Sequence, residues 1–92
     1  MHIRLLEVRL RLYRVANIKE RRSVVEGLVA RLRRQFNVSV AEIPSQERDL
    51  VILALVNVSS DGAYAEGMME EIVEKLQGSR EFYLEDHKLE VF

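Results

Sequence analysis

Nine consecutive residues, Leu50 to Val58 (LVILALVNV), carry no charge and a single polar side chain, Asn57. Strand side chains alternate between two faces. This run is therefore apolar on both: Leu50, Ile52, Ala54, Val56 and Val58 on one, Val51, Leu53 and Leu55 on the other. Such a segment belongs in the middle of a sheet, paired on both edges and covered on its faces. Pro44-Ser45-Gln46-Glu47-Arg48 before it reads as a loop, and Ser59-Ser60-Asp61-Gly62 after it gives turn and helix-cap signals. A chain of 92 residues holds one such sheet and one modest core, so residues 1–92 are expected to form a single domain.

The other elements follow from periodicity. In Ile3–Arg14, Leu6, Val8, Leu10 and Leu12 alternate with Glu7, Arg9, Arg11 and Tyr13, which predicts a strand. Asn17 is a good N-cap, and Glu20 stands where it would complete a capping box. Ile18, Val25, Leu28, Val29, Leu32 and Phe36 then recur at helical spacing, with the helix ending near Asn37. Val38–Ile43 is β-branched and predicts a second strand. Tyr64, Met68, Ile72 and Leu76 mark a second helix, with Glu66, Glu70 and Glu74 on another face and Gly78 as its C-cap glycine. Glu81–Phe92 closes the chain as a strand with a turn or bulge near Asp86. The order β-α-β-β-α-β predicts an α+β, ferredoxin-like sandwich. Two helices would cover one face of a four-stranded antiparallel sheet, with the first and third strands central.

Composition narrows the function classes. There is no cysteine, which excludes disulfides and thiolate metal sites. No apolar run approaches a membrane span, and the segment MHIRLLEVRLRL has no signal-peptide core, so a cytoplasmic protein is expected. The net charge of −1 hides a split: residues 1–48 hold 11 basic and 5 acidic side chains, residues 49–92 hold 3 basic and 10 acidic ones. The two halves either neutralise each other in the fold or the basic half meets an anionic partner. Arginine outnumbers lysine 11 to 3, and its planar fork suits phosphate and carboxylate.

Lys19, Arg21 and Arg22 crowd the first turn of the first helix, where the helix dipole disfavours cations. With Arg14 from the preceding strand and the free N–H groups of the helix start, they form a candidate anion site. Salt bridges to acids elsewhere in the chain are the competing reading. For RNA the same residues, with Arg9 and Arg11, would serve through phosphate contacts. Base stacking on two central strands is not expected, because the third strand has no aromatic residue and the first has only Tyr13. The apolar strand also leaves a patch on the face without helices, whichever set points there. Ile3, Leu5, Tyr13, Val51, Leu53 and Leu55 are assigned to a homodimer interface on that face.

Signs of catalysis are sparse. His2 and His87 are isolated, no cofactor fingerprint occurs, and no metal-ligand spacing is present. Arg21 or Arg22 with Asn57 could imitate the Arg–Asn pair of acylphosphatases, which share this size and topology. The glycine-rich loop of those enzymes has no counterpart in Arg14-Val15-Ala16-Asn17. The Glu66, Glu70, Glu71, Glu74 cluster reads as a solvated helix face, since carboxylates along one helix cannot surround a hard cation.

The segment IKERRSVVEGLVARLRRQFNVSVAEI resembles the stretch around the Ser-Leu-Lys-Glu-Lys-Arg motif of the YlxP-like proteins, small bacterial proteins grouped as domain of unknown function 503. In that family the motif precedes a helix and a Phe-Asn-Val-Ser-Val-Ala-Glu segment, which here is Phe36-Asn37-Val38-Ser39-Val40-Ala41-Glu42. Val58-Ser59-Ser60-Asp61 is similar to the start of the family's second helix. Ile18 replaces the usual Leu, Arg21 replaces the second Lys, and Gln46-Glu47-Arg48 stands where many members carry a Trp. The resemblance implies the ferredoxin-like fold and no established activity. It also implies an association with RNA or a ribosomal particle, through the neighbourhood of its genes to translation factors. The expectation is a cofactor-free, non-enzymatic protein that binds RNA or a ribosomal particle through its basic first helix. A structural or regulatory homodimer, and small-anion or acylphosphatase-like activity, are the alternatives.

Overall fold

A computed structural model describes residues 1–15 and 17–92. It contains β1 (His2–Leu12), α1 (Ile18–Gln35), β2 (Ser39–Ile43), β3 (Leu50–Ser59), α2 (Gly62–Leu76) and β4 (Phe82–Val91). The strands form one antiparallel sheet in the order β2-β3-β1-β4. Both helices lie on one side of it, which is the ferredoxin-like α+β arrangement.

Register decides which residues share a face. Leu6, Val8 and Leu10 of β1 stand opposite Leu55, Leu53 and Val51 of β3. All six are buried under the helices, against Val25, Leu28 and Leu32 of α1 and Met68, Met69 and Ile72 of α2. The interface assignment of Val51, Leu53 and Leu55 is therefore corrected: these side chains form the core and cannot meet a partner. β1 has only one cleanly apolar face, Leu6 to Leu12, and the helices must cover that one. The in-register residues of β3 are carried to the same side. The open face instead carries Leu50, Ile52, Ala54, Val56 and Val58, opposite Arg11, Arg9, Glu7, Leu5 and Ile3.

The Asn17 side chain accepts the Glu20 N–H at 2.8 Å and starts α1. Asp61 does the same for α2 by accepting the Tyr64 N–H at 3.1 Å. Three details differ from the periodicity. Ile18 and Tyr64, each in the first turn of its helix, are exposed, and Ala65 and Met69 take buried places on α2. Gly78 is not left-handed: α2 ends at Gln77 in the right-handed region, with the Gly78 N–H donating to the Lys75 carbonyl. The expected bulge is present, since β4 jumps from Asp86 opposite Arg9 to Leu84 opposite Leu10, leaving Glu85 as the extra residue.

The face assignment has a direct test. Leu53→Ala is expected to cost about 2–5 kcal/mol of stability in urea unfolding, through a core cavity. Val58→Ala, at a side chain 51% exposed on the open face, is expected to cost less than about 0.5 kcal/mol.

Candidate functional site

The cations singled out in the sequence divide into two groups once the fold assembles them. Arg11 and Arg21 are consumed inside the structure. Arg11 donates through Nε and Nη2 to the two carboxylate oxygens of Glu85, each at 3.0 Å. Its Nη1 donates to Asp49 at 2.9 Å and to Glu47 at 3.2 Å. The bulge at Glu85 is what delivers the first of these carboxylates, and the β2–β3 loop delivers the other two. Hydrogen bonds to Glu85, then to Asp49, hold the Arg11 pKa above its ordinary value. A raised cation pKa means that the network's contribution is complete below the ordinary arginine pKa and is lost only above it, so Arg11 exchanges no proton in the working pH range. Four of the five guanidinium N–H groups are thereby taken up by three acids, whose negative charge also repels an outside anion.

Arg11 has a packing role as well. Leu50 stands directly across from it on the helix-free face and yet is only 1% exposed. The Arg11 stem and its ring of acids roof this leucine, and Arg9 stands likewise opposite the buried Ile52.

Arg21 explains why a cation occupies the first turn of α1. Its Nε donates to the Arg48 carbonyl at 2.9 Å, and its Nη2 donates to the Leu50 carbonyl at 3.0 Å and pairs with Glu42 at 3.0 Å. It thereby ties α1 to the end of the β2–β3 loop and the start of β3.

Arg14, Lys19 and Arg22 differ. All three are exposed, and among the described residues none makes an ion pair. Lys19 and Arg22 project from the first turns of α1, and Arg14 from the segment just after β1. Farther along α1, Arg31 and Arg34 are also exposed and unpaired, while Arg33 donates to the Val40 carbonyl at 2.8 Å. α1 as a whole carries six cations and two acids, whereas α2 carries four glutamates and one lysine. One helix presents a basic surface and its neighbour an acidic one.

Sequence reasoning missed three features. Arg4 is buried at 5% exposure, and pairs with Glu66 at 3.3 Å; Asn57, its cross-strand neighbour, is buried as well. Strand parity carried the signal, because both continue the buried faces of β1 and β3. The second is Tyr83, whose ring lies 5.6 Å from that of Tyr13 at a tilt of 39°. Arg80 is the third, lining with Tyr13 and Arg14 a cavity of about 260 Å³ at the end of β1.

The acylphosphatase-like pair is not assembled. The Asn57 side chain donates to the Asn37 carbonyl, just past the C-terminal end of α1, whereas Arg21 and Arg22 lie in its first turns. The length of the helix, roughly 25 Å at 1.5 Å per residue, separates them. Among the described residues no three His, Asp or Glu side chains are grouped to hold a metal ion, and no helix is long and apolar enough to cross a membrane.

The fold and these surfaces define a small ferredoxin-like domain with an acid-clamped open sheet and a basic first helix. The family described as protein of unknown function (DUF503) matches residues 3–89, nearly the whole chain, and the protein belongs to that family. No curated protein gives a significant match.

The separation of roles between adjacent arginines is testable. Arg21→Ala removes donors from one carbonyl of the β2–β3 loop and one at the start of β3, and is expected to lower stability by about 1–3 kcal/mol in urea unfolding. Arg22→Ala, at an unpaired surface position, is expected to change it by less than about 0.5 kcal/mol.

Proposed function

We propose that this protein is a non-catalytic, RNA-binding domain that uses the start of α1 to engage phosphates, on RNA alone or within a ribosomal particle. The observation that carries this reading is the set of cations left without an internal partner: Arg14, Lys19 and Arg22. Lys19 and Arg22 stand in the first turns of α1 and Arg14 shortly before it, at the helix end where the N–H groups and the dipole already favour an anion. A fold that neutralises Arg11 and Arg21 with four acids but leaves these three open supports an outward use for them. Arg31 and Arg34 continue the basic surface along the helix. A small anion alone is less well supported, since the cavities that Arg14 and Arg22 line at the start of α1 are each lined by two glutamates as well.

Binding through three phosphate contacts predicts a modest, measurable salt dependence. In fluorescence anisotropy, log K against log salt is expected to have a slope of about −2 for single-stranded RNA, at about 0.7 per contact. Lys19→Ala or Arg22→Ala should each flatten it by about one contact's worth, and Arg11→Ala should leave it unchanged. No binding at low salt would overturn the reading.

A second reading, a structural or regulatory homodimer, is favoured by one observation. Beyond the Arg11 clamp the open face turns apolar at Ile3, Leu5, Ala54, Val56 and Val58, with Ile3 37% exposed. Light scattering at micromolar concentration checks it: a dimer should dissociate on Val58→Asp, and a monomeric wild type would remove the reading.

A further inference from the structure

We propose that Tyr13 and Tyr83, with the cavity beside them, form a subsite for an unpaired base of single-stranded RNA. The proposal rests on the RNA reading above and says which part of RNA the protein grips. Tyr13 directly follows β1 and Tyr83 lies near the start of β4, opposite Arg11 across the sheet. The two rings are 59% and 43% exposed, and their centroids are 5.6 Å apart. Exposed, adjoining aromatic rings are a stacking surface for bases, and such stacking tolerates any sequence because every base offers a π-face. Neighbouring strands β1 and β4 supply this pair, rather than the two central strands β1 and β3.

The cavity next to Tyr13 selects a base over a bare anion. Its charged lining residues are mixed in sign: Arg14 and Arg80, and Glu20 and Glu81. None of these four makes an ion pair among the described residues. An isolated phosphate would meet two carboxylates there. A nucleobase carries both donors and acceptors on its edge, so its amino groups suit Glu20 and Glu81 and its ring nitrogens and carbonyls suit Arg80, while Arg14 keeps its contact with a neighbouring phosphate. Val24 adds an apolar wall. The strand's backbone then leaves the cavity at the start of α1, where Lys19, next in the chain to Glu20 and in no ion pair among the described residues, takes a flanking phosphate. In A-form duplex RNA the bases are stacked and paired, so only an unpaired one reaches this site.

The experiment uses the full chain and an eight-nucleotide oligouridine, an abasic strand of the same length and an RNA duplex. The protein has three tyrosines and no tryptophan, so its intrinsic fluorescence reports Tyr13 and Tyr83 directly, with Tyr64 as the remaining signal. The oligouridine should quench that fluorescence. Tyr13→Leu and Tyr83→Leu should each weaken its binding about tenfold, in line with the loss of one stacked base. Tyr13→Phe should retain affinity, and the abasic strand should bind wild type as weakly as oligouridine binds the leucine variants. Unchanged thermal melts by circular dichroism would show the variants folded, as expected at two exposed positions. Equal binding of abasic and base-bearing strands, or full affinity in the double leucine variant, would overturn the subsite while leaving phosphate binding intact. Failure of both single-stranded and duplex RNA to bind at low salt would remove the RNA reading, and the subsite with it.

Discussion

The structure depends on how β3 is covered. An antiparallel sheet with both helices on one side leaves a second face in water, yet β3 is apolar on both. On the helix side the answer is ordinary packing, with Val51, Leu53 and Leu55 set among the leucines of β1 and the methionines of α2. On the other side two arginines of β1 take the place of a helix. Arg11, held by Glu47, Asp49 and Glu85, lies across from Leu50, and Arg9 lies across from Ile52. Long cationic side chains cover apolar surface with their stems while their charged ends stay hydrated or paired. The β4 bulge serves the same end, because the extra residue it inserts is the glutamate that grips Arg11 in two places.

This use of arginine also resolves the division of charge along the chain. Part of it is internal compensation: Arg4 meets Glu66, and Arg11 meets Asp49 and Glu85, so basic residues of the first half find acids of the second. The remainder is segregated by helix. α1 keeps cations on its exposed surface, and α2 keeps Glu70, Glu71 and Glu74 on its own. Charged groups in water contribute little to stability. The basic surface of α1 is thus free of a structural duty that Arg21 visibly has.

Much of the fold was legible because local signals agreed. The Asn17 and Asp61 caps, the helical stripe through Val25, Leu28 and Leu32, and the apolar β3 run each pointed to its element, and their order left few topologies. The site was legible only as a list of charges. Arg21 and Arg22 are adjacent and chemically identical in the sequence, yet one is anchored to carbonyls of the β2–β3 segment and the other is free. Nothing local distinguishes them, because Arg21's partners are at positions 42, 48 and 50. Tyr83 was missed for the same reason: its neighbour, Tyr13, is 70 residues away and is brought alongside by the β1–β4 pairing.

The sequence by itself determined the six elements, their order and the ferredoxin-like class, since caps, periodicity and turn residues act over a few positions. Only the tertiary structure decided which face of β3 became core, because the pattern of β3 is apolar on both sides and the choice was made by register with β1. The same step decided which arginines were spent on the fold and which were left without an ion pair among the described residues. Ion pairs and aromatic contacts form between residues that strand pairing and helix docking bring within a few ångströms, and that proximity is written in no short stretch of the chain.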